Sequence, residues 1–213
     1  MTRAVLFDMD GTMFATEGLW GVINRKLAED YGAVWDESVR TRMMGKKDRE
    51  SLLVFKEFFG LEAPVEELIA RRRELILADL SAVTMNDGLT ELLDLLDARG
   101  IKKAVATSSF RELAIHLIER FGLLARFDAI VTGDDVKESK PDPAIFLEAA
   151  RRVGVAQAEC LVLEDAQNGV EAASNAGMRV YAIPHDDSRH HDFSRATRVI
   201  ASMRDILPEF ALH

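Results

Sequence analysis

The chain is poor in the features that announce several large classes of protein. It has one cysteine among 213 residues, Cys160, so no disulfide forms within it. That cysteine lies in an apolar run, which points to a packed thiol rather than a reactive one. No uninterrupted apolar segment is long enough to cross a bilayer. The only apolar stretch near the N-terminus is broken by Asp8 and Asp10, which excludes a signal-peptide reading. Positive charge is in deficit: the net charge of −9 argues against a general nucleic-acid or anionic-membrane binder. It leaves small phosphorylated substrates open, because a local cationic pocket can sit in an acidic molecule. No segment is repeated and none is of low complexity. The expectation is a soluble, cytoplasmic, monomeric protein, either one large domain or a core with a smaller insertion.

What the chain does have is concentrated at Ala4-Val5-Leu6-Phe7-Asp8-Met9-Asp10-Gly11-Thr12. A short apolar run without polar alternation suits a strand covered on both faces, as in a parallel sheet flanked by helices. Ligands of such sheets bind beyond the carboxyl ends of the strands. Asp8 and Asp10 stand at such an end, and residues i and i+2 of an extended strand share a face.

From Glu17 to about Val83 the pattern is helical. Leu19, Trp20, Ile23, Leu27 and Tyr31 fall on one face before Gly32. Asp36 is placed to cap a second helix closed by Gly45, and Asp48 a third through Phe59. Pro64 opens a long amphipathic helix ending near Leu80. No strand is expected between Phe14 and Val83. From Asn86 onward strands and helices alternate, with strands at Lys103–Ala106, Phe127–Val131, Leu161–Leu163 and Val180–Ile183. This implies an α/β fold with a parallel sheet and helices on both faces. The expected division is a core of residues 1–13 and 86–213 and an inserted helical domain of residues 14–85. Polar groups recur at the strand ends: Asp8 with Asp10, Thr107 with Ser108, Lys140 just beyond a strand, and Glu164 with Asp165.

Asp-x-Asp-Gly-Thr after the first strand, then the hydroxyl at Thr107, then Lys140, then the acidic pair Glu164-Asp165, resembles the four ordered motifs of the haloacid dehalogenase-like superfamily. The resemblance spans nearly the whole chain. The helical insertion between the first two motifs resembles the cap of the beta-phosphoglucomutase-like and phosphatase subgroup. The resemblance implies a phosphatase acting on a small phosphorylated metabolite. Asp8 is then the nucleophile that forms an aspartyl-phosphate, and Asp10 the general acid and base. Mg2+ is held by Asp8, by the backbone carbonyl of Asp10 and by Asp165, with Glu164 a direct ligand or the orienter of a bound water. Lys140 supplies a fixed positive charge. Thr107, Ser108 and Ser109 bind phosphoryl oxygens at a helix start.

Alternatives stand beside these assignments. Ser109 with Glu112 has the spacing of a capping box, Asp134 and Asp135 read as a solvated loop or as supports of the site, and Arg71 to Arg73 read as the wet face of a helix. His185, His190 and His191 read as a surface loop. Lys46, Lys47 and Arg49 beside Gly45 are the expected substrate contacts of the insertion. The mutases of the subgroup usually have histidine where Trp20 stands and lysine where Phe110 stands. A phosphosugar mutase is therefore the second reading, and a catalytically silent binding module the third.

Overall fold

Every residue of Ala4–Phe7, strand β1, is fully buried. The reason is its position. β1 pairs in parallel with Lys102–Ala106 (β4) on one side and Cys160–Glu164 (β6) on the other. Val5 and Phe7 face one apolar cluster, Ala4 and Leu6 a second on the opposite face of the sheet. A strand with two buried faces has no solvent side on which polar residues could alternate. Burial of Val5, Leu6 and Phe7 contributes about 1.5–3 kcal/mol each. The computed structural model describes residues 1–44 and 46–211. Among them one six-stranded sheet has the order β5–β4–β1–β6–β7–β8, with β5 at Ala129–Val131, β7 at Arg179–Ala182 and β8 at Arg198–Val199. All of its pairings are parallel. Cys160 is buried in the second cluster, and burial pushes its thiol up to about 11, as a packed sulfur requires.

Helices cover both faces. Leu89–Ala98 (α5) and Arg111–Arg120 (α6) contribute Leu92, Leu96, Leu113 and Leu117 to the first cluster. Ala144–Val153 (α7) and Gln167–Asn175 (α8) contribute Phe146, Ala149, Val170 and Ala173 to the second. Leu207–Phe210 (α9) packs against α5 near the chain's end.

The segment between β1 and α5 is helical, as its spacing predicts: Glu17–Asp30 (α1), Arg40–Met43 (α2), Asp48–Phe59 (α3) and Val65–Ala78 (α4). α4 packs against both α1 and α3. Asp36 caps the turn before α2 by accepting from the Ser38 amide at 2.8 Å. Gly45, expected to close α2, lies outside the described residues. Three expectations are corrected. The segment is not strand-free: Phe14–Ala15 (β2) pairs antiparallel with Thr84–Met85 (β3), a two-residue ribbon at the insertion's entrance and exit. Asp48 does not cap α3, whose N-cap is Lys47; its carboxylate is taken by Arg72 and Arg73 of α4. Arg72, read as part of a wet face, is buried for the same reason, bonding Ser51 as well as Asp48.

Candidate active site

The carboxyl edge of the sheet gathers the residues that the strand ends promised. Asp8, one residue past β1, is buried, and its Oδ1 accepts from Lys140 Nζ at 2.5 Å. The same ammonium donates to Glu164 Oε1 at 2.7 Å and lies 5.0 Å from the centre of the Phe146 ring. Burial by itself would lower the Lys140 ammonium. The charges of Asp8 and Glu164 outweigh it and hold the group protonated above its ordinary range.

Glu164 is held through both of its oxygens. Its Oε1 faces Lys140, and its Oε2 accepts the amides of Asp165 and Ala166, each at 2.8 Å. The carboxylate holds the lysine and the loop after β6. Gly169 on α8 makes room for it: a Cβ there would meet Glu164 Oε1 at 1.6 Å. Asp165 is the member of the pair turned to the site. It accepts from Thr12 Oγ1 at 3.0 Å and lies 2.9 Å from His185 Nε2.

Asp10 sits where the loop after β1 folds back, a turn made possible by Gly11 at φ +81°. Its Oδ1 accepts from the Trp20 indole Nε1 at 3.0 Å. Its Oδ2 accepts from Ser109 Oγ at 2.7 Å and Thr107 Oγ1 at 3.3 Å. Ser109 is thus not the cap of α6. The N-cap position is Phe110, and the first amide of that helix, from Arg111, is satisfied at 2.8 Å by Asp134 Oδ2. Asp134 is exposed, as a loop residue would be, whereas Asp135 is largely covered, and neither lines the cavity described below. Asp135 accepts the Thr132 amide and hydroxyl and pairs with Arg111 and Arg152.

A cavity of about 130 Å³ opens on this edge, lined by Asp8, Asp10, Thr107 to Ser109, Lys140, Glu164 and Asp165 from the sheet side. Trp20, Asn24, Met43 and Lys46 are among the residues that close it from the insertion. The insertion's expected contacts divide. Lys46 lines the cavity. Lys47 instead turns its Nζ to the carbonyls of Val136 and Lys137, at 2.6 and 3.0 Å. Arg49 pairs with Glu66 on the outer surface. A single phosphate-binding turn does not form, because the three cations leave the start of α3 in different directions.

Sequence reasoning missed three residues here. His185 was read as surface, yet it lines the cavity and meets Asp165; the available signal was its place just beyond β7, a fifth strand end. Thr12 ties Asp165 to the loop after β1. Asn86 clamps that same loop, donating to the carbonyls of Gly11 and Thr12 at 2.6 and 2.9 Å.

Burial raises Asp8 well above the ordinary carboxylate value. Lys140 opposes this, and the charges of Glu164, Asp165 and Asp10 push it further up. Burial likewise lifts Asp165 to about 6, against the hydrogen bond to His185 and with the repulsion of Glu164. Carboxylates outnumber the cations beside them, a donor chemistry that fits a hard divalent ion. Among the described residues no group of three or more His, Cys, Asp or Glu side chains is arranged to enclose a metal. An ion held here by two carboxylates and a carbonyl would keep several waters, as small hard cations do.

Residues 5–183 match the haloacid dehalogenase-like hydrolase family. A phosphorylated carbohydrates phosphatase from Thermotoga maritima is 36% identical over 187 residues, 86% of this chain and 86% of that protein. A mitochondrial (DL)-glycerol-3-phosphatase from Arabidopsis thaliana is 33% identical over 96% of this chain and 72% of its own length. A crystal structure of a CbbY variant from Rhodobacter sphaeroides, in complex with xylulose-(1,5)bisphosphate, superposes with a TM-score of 0.90 at 28% identity, covering 100% of both chains. With the sheet order, the strand-end acids and the buried lysine in place, this chain belongs to the haloacid dehalogenase-like hydrolase family.

Proposed function

We propose that the protein is a magnesium-dependent phosphoric monoester hydrolase that acts on a small sugar-phosphate-like metabolite through an aspartyl-phosphate on Asp8. The observation that carries this reading is the fixed contact of Lys140 with Asp8 at the floor of a pocket that also presents Asp10. An Asp8 oxygen attacks phosphorus, and the ester P–O bond breaks as Asp10 protonates the departing alcohol oxygen. Water then attacks the aspartyl-phosphate, Asp10 takes its proton, and the Asp8–phosphorus bond breaks to release phosphate. Lys140 offsets phosphoryl charge beside Asp8 throughout. Thr107 and Ser108 receive phosphoryl oxygens, while the Ser109 amide donates to Thr107 Oγ1 at 3.0 Å and the Thr107 and Ser109 hydroxyls hold Asp10 in place. Asp8, Asp165 and the Asp10 carbonyl would hold magnesium. When bound, the ion supplies neutralising charge and alignment for the phosphoryl group.

Residues 14–85 act as a cap over the core of residues 1–13 and 86–213, moving on the β2–β3 ribbon and excluding bulk water when closed. The acceptor is water rather than a second sugar hydroxyl. Trp20, in contact with Asp10, carries one N–H donor and no acceptor, so it cannot take a proton from a rebinding sugar as a histidine can. Phe110 holds the guanidinium of Arg73 4.3 Å from its ring centre, where a phosphate-binding lysine would otherwise reach in.

The test is release of free phosphate from a panel of sugar monophosphates with magnesium. Steady release is expected, lost on chelation of the metal and reduced by several orders of magnitude in Asp8→Asn. Near-wild-type release in that variant refutes the nucleophile. Isomerised product that depends on added bisphosphate, with little phosphate released, identifies a mutase instead.

A further inference from the structure

The turn after β7 reaches in two directions. His185 Nε2 lies 2.9 Å from Asp165 Oδ2, and Asp187 Oδ2, two residues on, lies 2.5 Å from Arg40 Nη2 of α2. The first contact is on the core and the second is on the insertion. The turn is short and stapled. The Ser188 and Arg189 amides both donate to the His185 carbonyl at 3.0 Å, and the hydroxyl of the fully buried Ser188 accepts the His185 amide at 3.1 Å. A displacement of Asp187 is therefore passed on to His185 instead of being absorbed between them.

The hydrogen bonds run in one sense. The Asp187 amide donates to His185 Nδ1 at 3.3 Å, so that nitrogen accepts and Nε2 carries the N–H. Nε2–H then donates to Asp165. Thr12 Oγ1 donates to the other oxygen of the same carboxylate at 3.0 Å. With one donor on each oxygen the plane of the Asp165 carboxylate is set, and each oxygen keeps a lone pair for a cation. Arg40, Asp187, His185 and Asp165 thus form one continuous series of contacts, from a cation of the insertion to a carboxylate of the core. Its members Arg40, His185 and Asp165 all line the cavity.

We propose that this turn is a strap through which the insertion, by way of Arg40, sets the position of Asp165 and so the core's affinity for its divalent cation, with His185 as the positioning residue. The inference rests on the magnesium assignment of the hydrolase reading above and adds what regulates it. Closure of the insertion tightens the cation, and by reciprocity the cation favours closure. Groups that hydrogen-bond a ligating carboxylate typically change metal affinity by about 10- to 100-fold when removed. Charge alone predicts the opposite sign for Arg40. A guanidinium lining the cavity repels a divalent ion, so its removal by itself tightens binding. The strap predicts that its removal weakens binding, and the sign separates the two.

The experiment titrates the full chain with Mn2+, read by its electron paramagnetic resonance, and competes it with Mg2+, for the wild type, His185→Leu, His185→Gln, Arg40→Met and the double variant of Arg40→Met with His185→Leu. The wild type is expected to bind Mn2+ that Mg2+ displaces. His185→Leu is expected to weaken binding by about tenfold. His185→Gln, whose amide still offers an N–H to Asp165, is expected to stay within about threefold of the wild type. Arg40→Met is expected to weaken binding by about threefold, and to add nothing once His185→Leu has cut the strap. Unchanged or tighter binding in Arg40→Met overturns the strap, as does unchanged binding in His185→Leu. Equal losses in His185→Leu and His185→Gln assign the effect to packing of the ring and also overturn it. If His185→Leu does not fold, the sign of the Arg40→Met effect decides alone. A wild type that binds no Mn2+ yet releases phosphate overturns the magnesium assignment and the strap together, and leaves Asp8 as the nucleophile. No binding and no release from any sugar monophosphate overturns the hydrolase reading as well.

Discussion

The sheet edge and the insertion both present charged groups to the cavity, but they hold them differently. At the sheet edge the charges of Asp8, Lys140 and Glu164 are buried and fixed by backbone or by an opposite charge. Lys140 lies between Asp8 and Glu164, and Glu164 is held by two amides of its own loop. Across the cavity, the cations at the start of α3 sit at or near solvent and take whichever partner is in reach: carbonyls for Lys47, Glu66 for Arg49. A buried charge is costly to leave unpaired, so its geometry is over-determined. An exposed pair contributes at most about 1 kcal/mol and specifies little. The edge is built for one arrangement, and the insertion's turn tolerates several.

The largest break in that comparison comes from Lys140. Lys140→Met leaves the Asp8 and Glu164 carboxylates buried without their shared cation. Turnover should fall by about 10³-fold or more, since a positioned charge at the reacting group is lost. Stability at neutral pH should fall by about 3–5 kcal/mol, the usual cost of breaking a buried pair. Phosphate-release kinetics and urea unfolding check the two separately. A variant that loses activity with unchanged stability would mean that the acids relax by protonation, and that the over-determined edge is softer than its distances suggest.

Asp135, beyond β5, extends the comparison to the edge's outer end. Burial raises its carboxyl, but Arg152, Thr132 and Arg111 outweigh this and hold it well below the ordinary value of 3.8. A carboxyl depressed in the folded state contributes stability that is complete above its unfolded value and is lost as pH falls through the folded one. Asp135→Asn should therefore cost about 1–2 kcal/mol at pH 7, and its deficit against the wild type should shrink as the pH falls below about 4. Denaturant unfolding at both pH values measures it. A deficit that stays constant across that range would assign the cost to packing instead of charge.

The two regions were also unequally legible in the sequence. The strand-end acids, Thr107 and Lys140 could be placed because a strand's period and its stop are local properties, and a parallel sheet brings all such ends to one edge. His185 followed the same rule, three residues beyond β7, but lay in a polar, histidine-rich stretch that looked like solvent-facing loop. The partners of Glu164 could not be read because orientation is not local: Asp165 and Ala166 turn their amides back on it only once the loop has formed. Arg72 had a signal that the arginine triplet hid. It stands four residues from both Leu68 and Ile76, on the buried face of α4. The β2–β3 ribbon is two residues on each side, too short for any alternation to show.

The finest distinction within the insertion is between neighbours. Lys47 Nζ reaches from the insertion to the carbonyls of Val136 and Lys137, and the Lys47 amide donates to Ser139 Oγ at 3.4 Å, so this residue joins the two sides of the cavity. Arg49, two residues on, pairs outward with Glu66, and both side chains are more than half exposed. Lys47→Met should favour an open insertion and raise KM by roughly fivefold, with kcat changed by less than about twofold, as expected for loss of ~1 kcal/mol of closing contact. Arg49→Ala should leave both constants within about a factor of two. Salt separates this from direct substrate contact. Lys47 donates to neutral carbonyls, so the effect of its replacement should be nearly independent of ionic strength. A lysine that neutralised substrate phosphate would matter most in dilute buffer, where screening is weak. Equal and salt-sensitive increases in KM for Lys47→Met and Arg49→Ala would return both residues to the substrate and erase the contrast between a fixed edge and a tolerant turn.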